Sequence, residues 1–207
     1  MTKDFEETSL PNNICVIDND YVSEEKTTYY YKATGKFLLE HTIEDVSNMP
    51  LYKYEYNVLK GKAKYLDPKT NNVLYKCKFK THLTKPNELI ISRMKNDKEV
   101  NSITCNFSSK FSLKEFKYEI EFFNMATEKN ELLEIECSAF YKNCSIYYGK
   151  KKENGILICQ FSTLKNFYYK ANFKIDVIPG VDSLFILMII IQIYQNIQGR
   201  KAAAASN

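Results

Sequence analysis

Lysines at every second position are the residues of this chain whose spacing could create a binding site, because they would cluster positive charge that can bind an anion. Lys76, Lys78 and Lys80 have this spacing within a run of strand-forming residues. Side chains of a strand alternate between its faces, so the three ammonium groups would share one face at a spacing of about 7 Å. Like charges this close repel, so a neighbour or a ligand must compensate them.

A second lysine cluster follows a predicted strand further along the chain. Lys150, Lys151 and Lys152 lie in a segment ending at Gly155 that is typical of a hairpin loop. Both clusters could hold an anionic lipid headgroup, because each lysine near a membrane contributes about 1 kcal/mol. The six lysines are therefore the candidate headgroup ligands of this sequence. They are Lys76, Lys78, Lys80, Lys150, Lys151 and Lys152.

Ordinary surface charge is the alternative explanation for both clusters, since lysine is mostly an exposed residue. On this alternative the strand lysines pair across strands with glutamates, and the loop lysines are simply solvated. The candidate glutamate partners are Glu55, Glu119, Glu121 and Glu134. The whole chain has 29 basic and 25 acidic residues. This balance argues against a nucleic-acid partner, which usually requires a strongly basic domain.

Residues for catalysis or metal binding are sparse. The sequence has two histidines, His41 at a predicted strand end and His82 in a predicted turn, and both are expected to be surface or turn residues. Glu134 and Glu136 fall on the polar side of one strand, where solvation is the usual role. A glycine-rich phosphate loop, a metalloprotease motif and a nucleophile elbow are all missing from the sequence. We expect no enzyme, no catalytic residues, no metal and no cofactor.

The cysteine pattern favours a reducing compartment. Six cysteines occur without a CxxC pair, which argues against a zinc finger or ribbon. Four of them fall on the apolar side of predicted strands and are expected to be reduced core residues: Cys77, Cys105, Cys137 and Cys159. The first eight residues are acidic and polar and do not resemble a secretory signal. We therefore expect a cytoplasmic protein.

The elements that must position the lysines are short strands. Residues in Leu51–Val58 and Val73–Lys80 alternate between apolar and polar types, which predicts antiparallel strands with one wet face. Glycines and prolines fall between these runs, and about a dozen strands at such spacing indicate a barrel or a sandwich. The predicted strands are Ile14–Ile17, Thr28–Lys32, Lys36–His41, Leu51–Val58, Lys62–Leu66, Val73–Lys80, Glu88–Lys95, Glu99–Phe107, Phe116–Asn124, Leu132–Ala139, Cys144–Tyr148, Ile156–Thr163 and Ala171–Ile178.

A helix that is apolar on every side follows the last strand. Leu184–Ile191 comprises eight apolar residues without a break, so a helix there must be enclosed by protein or by lipid. Asp182 or Ser183 can cap it. A membrane span needs about 20 mostly apolar residues, and this run is too short for one. About twelve strands would form a barrel wide enough to enclose a helix, which favours a helix inside the protein.

These observations predict one mainly β domain, a closed antiparallel barrel of about twelve strands around a central hydrophobic C-terminal helix. The domain is expected over residues 13–198, with the helix at about 181–198. Residues 1–12 and 199–207 are predicted to be disordered tails.

The end of the chain resembles a known family. Asp176 followed by Pro179-Gly180-Val181-Asp182 and an all-apolar helix is similar to the end of LURP-one-related proteins. These proteins belong to the tubby C-terminal-like superfamily, together with the phospholipid scramblases. The order of the segments Leu51–Tyr56, Val73–Lys78 and Leu83–Ile91 also resembles fungal tubby-like proteins. The resemblance covers roughly residues 51–197 and implies a twelve-stranded barrel threaded by its C-terminal helix.

The resemblance also implies a function. Tubby-like proteins bind phosphoinositides through basic residues and act as membrane-tethered adaptors, so we expect a non-enzymatic adaptor with an anionic phospholipid or a protein as its partner. Such a protein would make peripheral contact with the inner face of a membrane. No residue of this chain matches the tubby lipid-binding site, and the cysteine-rich palmitoylation stretch of scramblases is missing from the sequence.

Two alternatives stay open at this point. One is a C-terminally anchored membrane protein with a scramblase-like, lipid-related role, whose final helix spans the bilayer. The other is a barrel that carries a small molecule, although a helix in the lumen would occupy the space that a ligand needs.

Overall fold

The computed structural model describes residues 9–34, 40–57, 60–111, 115–138, 143–167 and 170–205. These residues form twelve strands and one α-helix, with short 3-10 turns at Asn19–Tyr21 and Lys151–Glu153. The strands are β1 (Thr27–Thr34), β2 (Glu40–Glu44), β3 (Pro50–Asn57), β4 (Lys62–Leu66), β5 (Val73–Lys80), β6 (Asn87–Lys95), β7 (Lys98–Phe111), β8 (Glu115–Asn124), β9 (Lys129–Ser138), β10 (Asn143–Tyr148), β11 (Ile156–Phe167) and β12 (Lys170–Val177), and the helix is α1 (Ser183–Ala205).

The strands close into a barrel in chain order. Each strand pairs antiparallel with the next, and β1 completes the ring by pairing with β12. At this closure Tyr31 of β1 lies opposite Phe173 of β12 on one side and Ile43 of β2 on the other. The predicted closed antiparallel barrel is confirmed.

Alternation along each strand decides which residues enter the lumen. On β4, Ala63 and Tyr65 are buried while Lys62 and Lys64 are exposed. The same period of two appears on β9, where every second residue from Leu133 is buried. Because closure leaves one face inside and one face in water, the polar residues of this period form the outer surface.

Helix α1 occupies the lumen. Every side chain from Leu184 to Ile191 is at most 1% exposed. The Phe185 ring lies 5.3 Å from the Phe122 ring of β8, and Met188 Sδ lies 3.9 Å from Cys77 Sγ of β5. On another part of the ring, the Tyr194 ring of α1 lies 5.8 Å from the Tyr31 ring of β1. Because strands around the ring contact the helix, it has no polar face. Within the described residues, no helix has the length and apolar character that crossing a membrane requires.

The segment of residues 13–22, called here the plug, lies against the end of the barrel at which α1 begins. Ile14 forms a bridge with Val181, and Val22 forms one with Asp182. The prediction of a strand at Ile14–Ile17 is therefore wrong. These residues are apolar because they are buried against the barrel end, and only Ile14 among them pairs in a strand-like manner.

One buried carboxylate joins the plug to the helix. Asp182 Oδ2 accepts hydrogen bonds from the backbone N–H of Val16 at 3.1 Å and of Ile17 at 2.6 Å, and Oδ1 accepts one from Phe185 N–H at 3.0 Å. Burial raises the pKa of Asp182, and the backbone hydrogen bonds act against that shift. The contact to Phe185 is a helix N-cap, so the predicted cap is confirmed at Asp182.

The helix boundaries differ from the prediction at both ends. α1 begins at Ser183 and continues to Ala205, whereas the sequence suggested residues 181–198 followed by a disordered tail. Arginine, lysine and a run of alanines follow Gly199, and these are strong helix formers that extend the last turns. The predicted strand Lys36–His41 falls mostly outside the described residues, and β2 lies at Glu40–Glu44.

Candidate anion-binding face

Three neighbouring strands present lysines on one outer surface of the barrel. We define the basic face as the outward lysines of β3, β4 and β5. Alternate residues on these strands, such as Tyr54, Tyr65 and Cys77, are buried in the lumen. The basic face consists of Lys53, Lys62, Lys64, Lys76, Lys78 and Lys80.

Register brings these lysines together in pairs. Lys62 lies directly opposite Lys78, and Lys64 lies directly opposite Lys76, in the antiparallel ladder of β4 and β5. Side chains directly opposite in such a ladder have Cβ atoms about 5 Å apart, and like charges in that position destabilise the sheet. The β4–β5 ladder therefore concentrates four positive charges at a cost in stability.

Sequence reasoning found the lysines of β5 but missed those of β4. The signal was present, because Lys62 and Lys64 also alternate with apolar residues and precede a hairpin loop. Antiparallel pairing of the two strands across that loop would have placed both sets on the same face.

Few acidic groups offset the basic face. Lys64 Nζ lies 3.6 Å from Glu55, with both side chains at least half exposed, and Lys80 Nζ lies 3.7 Å from Glu88. Lys53 donates to the neutral Asn71 side chain at 2.7 Å. Within the described ranges, Lys62, Lys76 and Lys78 have no ion pair, and they are exposed.

The glutamate pairing predicted for the β5 lysines is wrong. Lys80 pairs with Glu88, which was not among the expected partners. Glu88 also accepts from Lys85 at 2.6 Å, and that ammonium lowers the pKa of Glu88. Glu88 is shared between lysines at the edge of the basic face, so it does not offset the charges of Lys62, Lys76 and Lys78.

The second predicted cluster lies elsewhere on the barrel. Lys150, Lys151 and Lys152 lie at the turn between β10 and β11, and β11 is diametrically opposite β5 in the ring of strands. Lys151 Nζ pairs with Glu136 at 2.6 Å and lies 5.2 Å above the Tyr147 ring. Lys150 pairs with Glu153 at 3.4 Å, and Lys152 is exposed. The two clusters therefore do not form one site, and headgroup binding by Lys150–Lys152 stays a prediction.

Acidic residues and lysines balance on the neighbouring strands β8 and β9. We define the acidic face as Glu119, Glu121, Glu134 and Glu136. Glu136 accepts from Lys117 at 2.5 Å as well as from Lys151. Although burial favours its neutral form, these hydrogen bonds outweigh burial and lower the pKa of Glu136.

His41 is an inner residue, so the expectation of a surface or turn position is wrong for it. The ring is 5% exposed and shares a hydrogen bond of 2.5 Å between Nδ1 and the Tyr31 hydroxyl. It also contacts the Tyr54 ring at a centroid distance of 5.3 Å. Burial lowers the pKa of His41 from 6.5 to about 4, so the ring is neutral near pH 7.

The cysteines lie in the core as predicted. All six are free and buried, and burial raises the pKa of the Cys105 thiol to about 12. Thiols with such a raised pKa are poor nucleophiles. The described residues include no cluster of histidine, cysteine and carboxylate side chains that could hold a metal ion.

Comparisons with known proteins agree with this fold. The family model described as LURP-one-related matches residues 27–194, which include all twelve strands and the apolar residues Leu184–Ile191 of α1. The chain belongs to the LURP-one-related family. This family is part of the tubby-like superfamily, so the resemblance seen in the sequence is confirmed.

A solved structure supports the same architecture. This LURP-one-related chain superposes on the X-ray structure of an Arabidopsis thaliana protein with a TM-score of 0.54 and 16% sequence identity. The match covers 89% of this chain and 98% of the plant protein. At this identity the likeness shows the fold alone. A comparison with curated proteins found no match.

Proposed function

We propose that this LURP-one-related protein is a non-enzymatic adaptor that docks reversibly on anionic phospholipid membranes through the basic face. The observation that carries the proposal is the register of β4 and β5, which sets Lys62 opposite Lys78 and Lys64 opposite Lys76. A structure that keeps four like charges in register gives up stability. An external anion would recover that loss.

The dimensions of the basic face suit a phosphorylated headgroup. Neighbouring strands lie about 4.8 Å apart and alternate residues about 7 Å apart, so the four central lysines form a rectangle of roughly 5 by 7 Å. Two phosphate groups on one inositol ring could each be reached by more than one ammonium group. The four central lysines are exposed on the outside of the barrel, so a membrane surface can reach them, and we propose that this membrane faces the cytoplasm.

Liposome sedimentation tests the proposal. Vesicles of phosphatidylcholine containing phosphatidylinositol bisphosphate should bind the wild-type chain more strongly than pure phosphatidylcholine vesicles at low salt. The double variant Lys62→Gln/Lys78→Gln should bind about 30-fold more weakly, because two lysines near a membrane contribute about 2 kcal/mol together.

The matched control is Lys98→Gln/Lys129→Gln, which removes the same net charge from exposed lysines outside the basic face and outside Lys150–Lys152. It should bind nearly as well as the wild type. Equal binding to both kinds of vesicle would contradict the lipid proposal. A loss in the control as large as that in the basic-face variant would contradict the assignment to β4 and β5.

A protein partner with an acidic surface is the second candidate for the same face. It would be favoured if the Lys62→Gln/Lys78→Gln variant lost a cellular location that vesicle binding could not explain. The open alternative of a C-terminal anchor finds no support in the position of α1, because its apolar residues lie inside the barrel.

A further inference from the structure

A groove of about 700 Å³ lies at the end of the barrel where the plug meets β5, β6 and β7. Its walls are mostly apolar, and helix α1 does not line it. The apolar lining residues are Ile17, Leu74, Ile91, Met94, Val100 and Ile103. Clefts of this size with apolar walls and a few convergent polar groups are typical of small-molecule sites.

The charged groups of the groove all have the same sign. Arg93 and Lys95 line it, and its lining includes no carboxylate. Arg93 lies opposite Tyr75 of β5 and Asn101 of β7 in the register, which places these polar groups side by side at the mouth of the barrel. The groove therefore has two basic side chains beside an apolar wall, and one of them, Arg93, is paired with Asp18.

Arg93 is held in place from the plug and keeps donors to spare. Its Nη1 donates to Asp18 Oδ2 at 2.8 Å, and its side chain is half exposed. A guanidinium has five N–H donors, and among the described residues Asp18 is the acceptor that pairs with them. The other guanidinium donors can bind an anion in the groove, while the pair with Asp18 fixes the orientation of the guanidinium plane.

Tyrosine hydroxyls add one more donor. The Tyr21 and Tyr75 hydroxyls lie 2.9 Å apart, so one of them donates to the other. A chain of hydroxyls contains one more O–H than it has links, so one O–H is left to donate to a further acceptor. Tyr21 and Tyr75 both line the groove, which places this donor beside the guanidinium.

We propose that this groove binds a small amphipathic anion, with its carboxylate or phosphate at Arg93 and its apolar body along Leu74, Val100 and Ile103. The site lies outside the lumen, so it needs no displacement of α1. The inference is independent of the basic face, because no lysine of that face lines the groove.

Calorimetric titration with decanoate, decyl phosphate and the neutral 1-decanol tests this site. The full chain should bind one decanoate or one decyl phosphate and should bind decanol more weakly. Arg93→Gln should weaken decanoate about tenfold, because a hydrogen bond between charged groups contributes about 1.5 kcal/mol or more. The same variant should leave decanol affinity within about twofold of the wild type.

A second pair of variants, at Val100, keeps the test decisive if Arg93→Gln fails to fold. Val100 is 55% exposed, so polar residues are tolerated there. Both Val100→Glu and Val100→Gln lose the apolar contact of Val100, but only the glutamate adds charge repulsion, so Val100→Glu should bind decanoate at least tenfold more weakly than Val100→Gln. The basic-face variant Lys62→Gln/Lys78→Gln should bind decanoate like the wild type, which separates this site from the membrane proposal.

Two results would overturn the inference. One is a failure of decanoate and decyl phosphate to bind below their critical micelle concentrations. The other is equal affinity for decanoate and decanol, or equal decanoate affinity in Val100→Glu and Val100→Gln. A preference between decanoate and decyl phosphate would identify the headgroup that the site accepts.

Discussion

The basic face and the acidic face look in nearly opposite directions, because β4 and β9 lie five places apart in the ring of twelve strands. Both contain like charges directly across a ladder. Lys64 lies opposite Lys76 on one face, and Glu119 lies opposite Glu134 on the other.

The two faces differ in where compensation comes from. On the acidic face, Glu136 binds two lysines, and Glu119 lies 3.8 Å from Lys110. Glu134 accepts a backbone N–H at 3.3 Å. At the centre of the basic face, Glu55 is the acidic partner found among the described residues. The difference teaches that the fold itself supplies lysine partners to Glu119 and Glu136 on the acidic face, whereas the basic face leaves room for an anion from outside.

The basic face and the acidic face both belong to a barrel that packs around α1. A substitution that prevents α1 from packing should therefore unfold the barrel and abolish both faces. Ile189 is fully buried in α1, and a carboxylate there would be unpaired. Ile189→Asp should cost several kcal/mol, a large part of the total stability of a typical domain. Thermal melting followed by circular dichroism measures this. The control Ile189→Leu should cost about 1 kcal/mol, and unchanged melting of Ile189→Asp would contradict an enclosed helix.

Acid should lower the free energy of unfolding through His41. This buried residue lies on β2, the strand that pairs with β3 of the basic face. The unfolded histidine takes up a proton near pH 6.5, whereas burial keeps the native ring neutral until about pH 4. The native state should therefore lose about 3 kcal/mol as the pH falls through this window, since each unit of pKa difference corresponds to about 1.4 kcal/mol.

Urea denaturation at pH 6.5 and pH 4 isolates this effect. His41→Asn keeps a hydrogen-bonding group for Tyr31 but does not titrate, so its loss over the same pH range should be smaller by the amount assigned to His41. The same loss in both proteins would show that other groups cause the acid sensitivity.

Single lysine substitutions should change stability in opposite directions on the two faces. Lys117→Gln removes a partner of Glu136 and should lower the free energy of unfolding by about 0.5–1 kcal/mol. Lys62→Gln removes a repulsion and should raise it by about 0.5 kcal/mol. Urea denaturation midpoints of the two variants provide the comparison, and shifts of the same sign would remove the distinction between the faces.

Salt should also change the stability of the wild type and of the basic-face variant by different amounts, although the effect is smaller than that of the lysine substitutions. Raising the sodium chloride concentration screens the exposed lysines and should stabilise the wild type by roughly 0.5 kcal/mol or less. Lys62→Gln/Lys78→Gln should show less of this gain. An identical salt dependence of the two proteins would indicate that repulsion on β4 and β5 is negligible.

Much of the fold follows from local sequence pattern. Alternation of apolar and polar residues predicted Val73–Lys80 and Lys62–Leu66 with the bounds that the structure has. The unbroken apolar run of α1 predicted an enclosed helix, because no other environment in water suits such a helix. Both signals depend on neighbouring residues, which a single sequence displays.

The features that were missed depend on distant residues. Ile14–Ile17 has the composition of a strand, yet the backbone of Val16 and Ile17 binds Asp182, about 165 positions away. The ladder that opposes Lys62 to Lys78 depends on register, and the groove at Arg93 depends on the plug. The plug, the lysine ladder and the groove are therefore determined by which distant segments pair with one another, and the residue types within each segment do not reveal that pairing.

The central claim is that an anion from outside relieves the repulsion between Lys62 and Lys78, and thermal melting with soluble inositol trisphosphate tests it most directly. A ligand that binds the native state raises the melting temperature as its concentration increases. The wild type and the Lys98→Gln/Lys129→Gln control should both show this rise, whereas Lys62→Gln/Lys78→Gln should melt higher without ligand and gain little from it. Equal gains in all three proteins would contradict the claim.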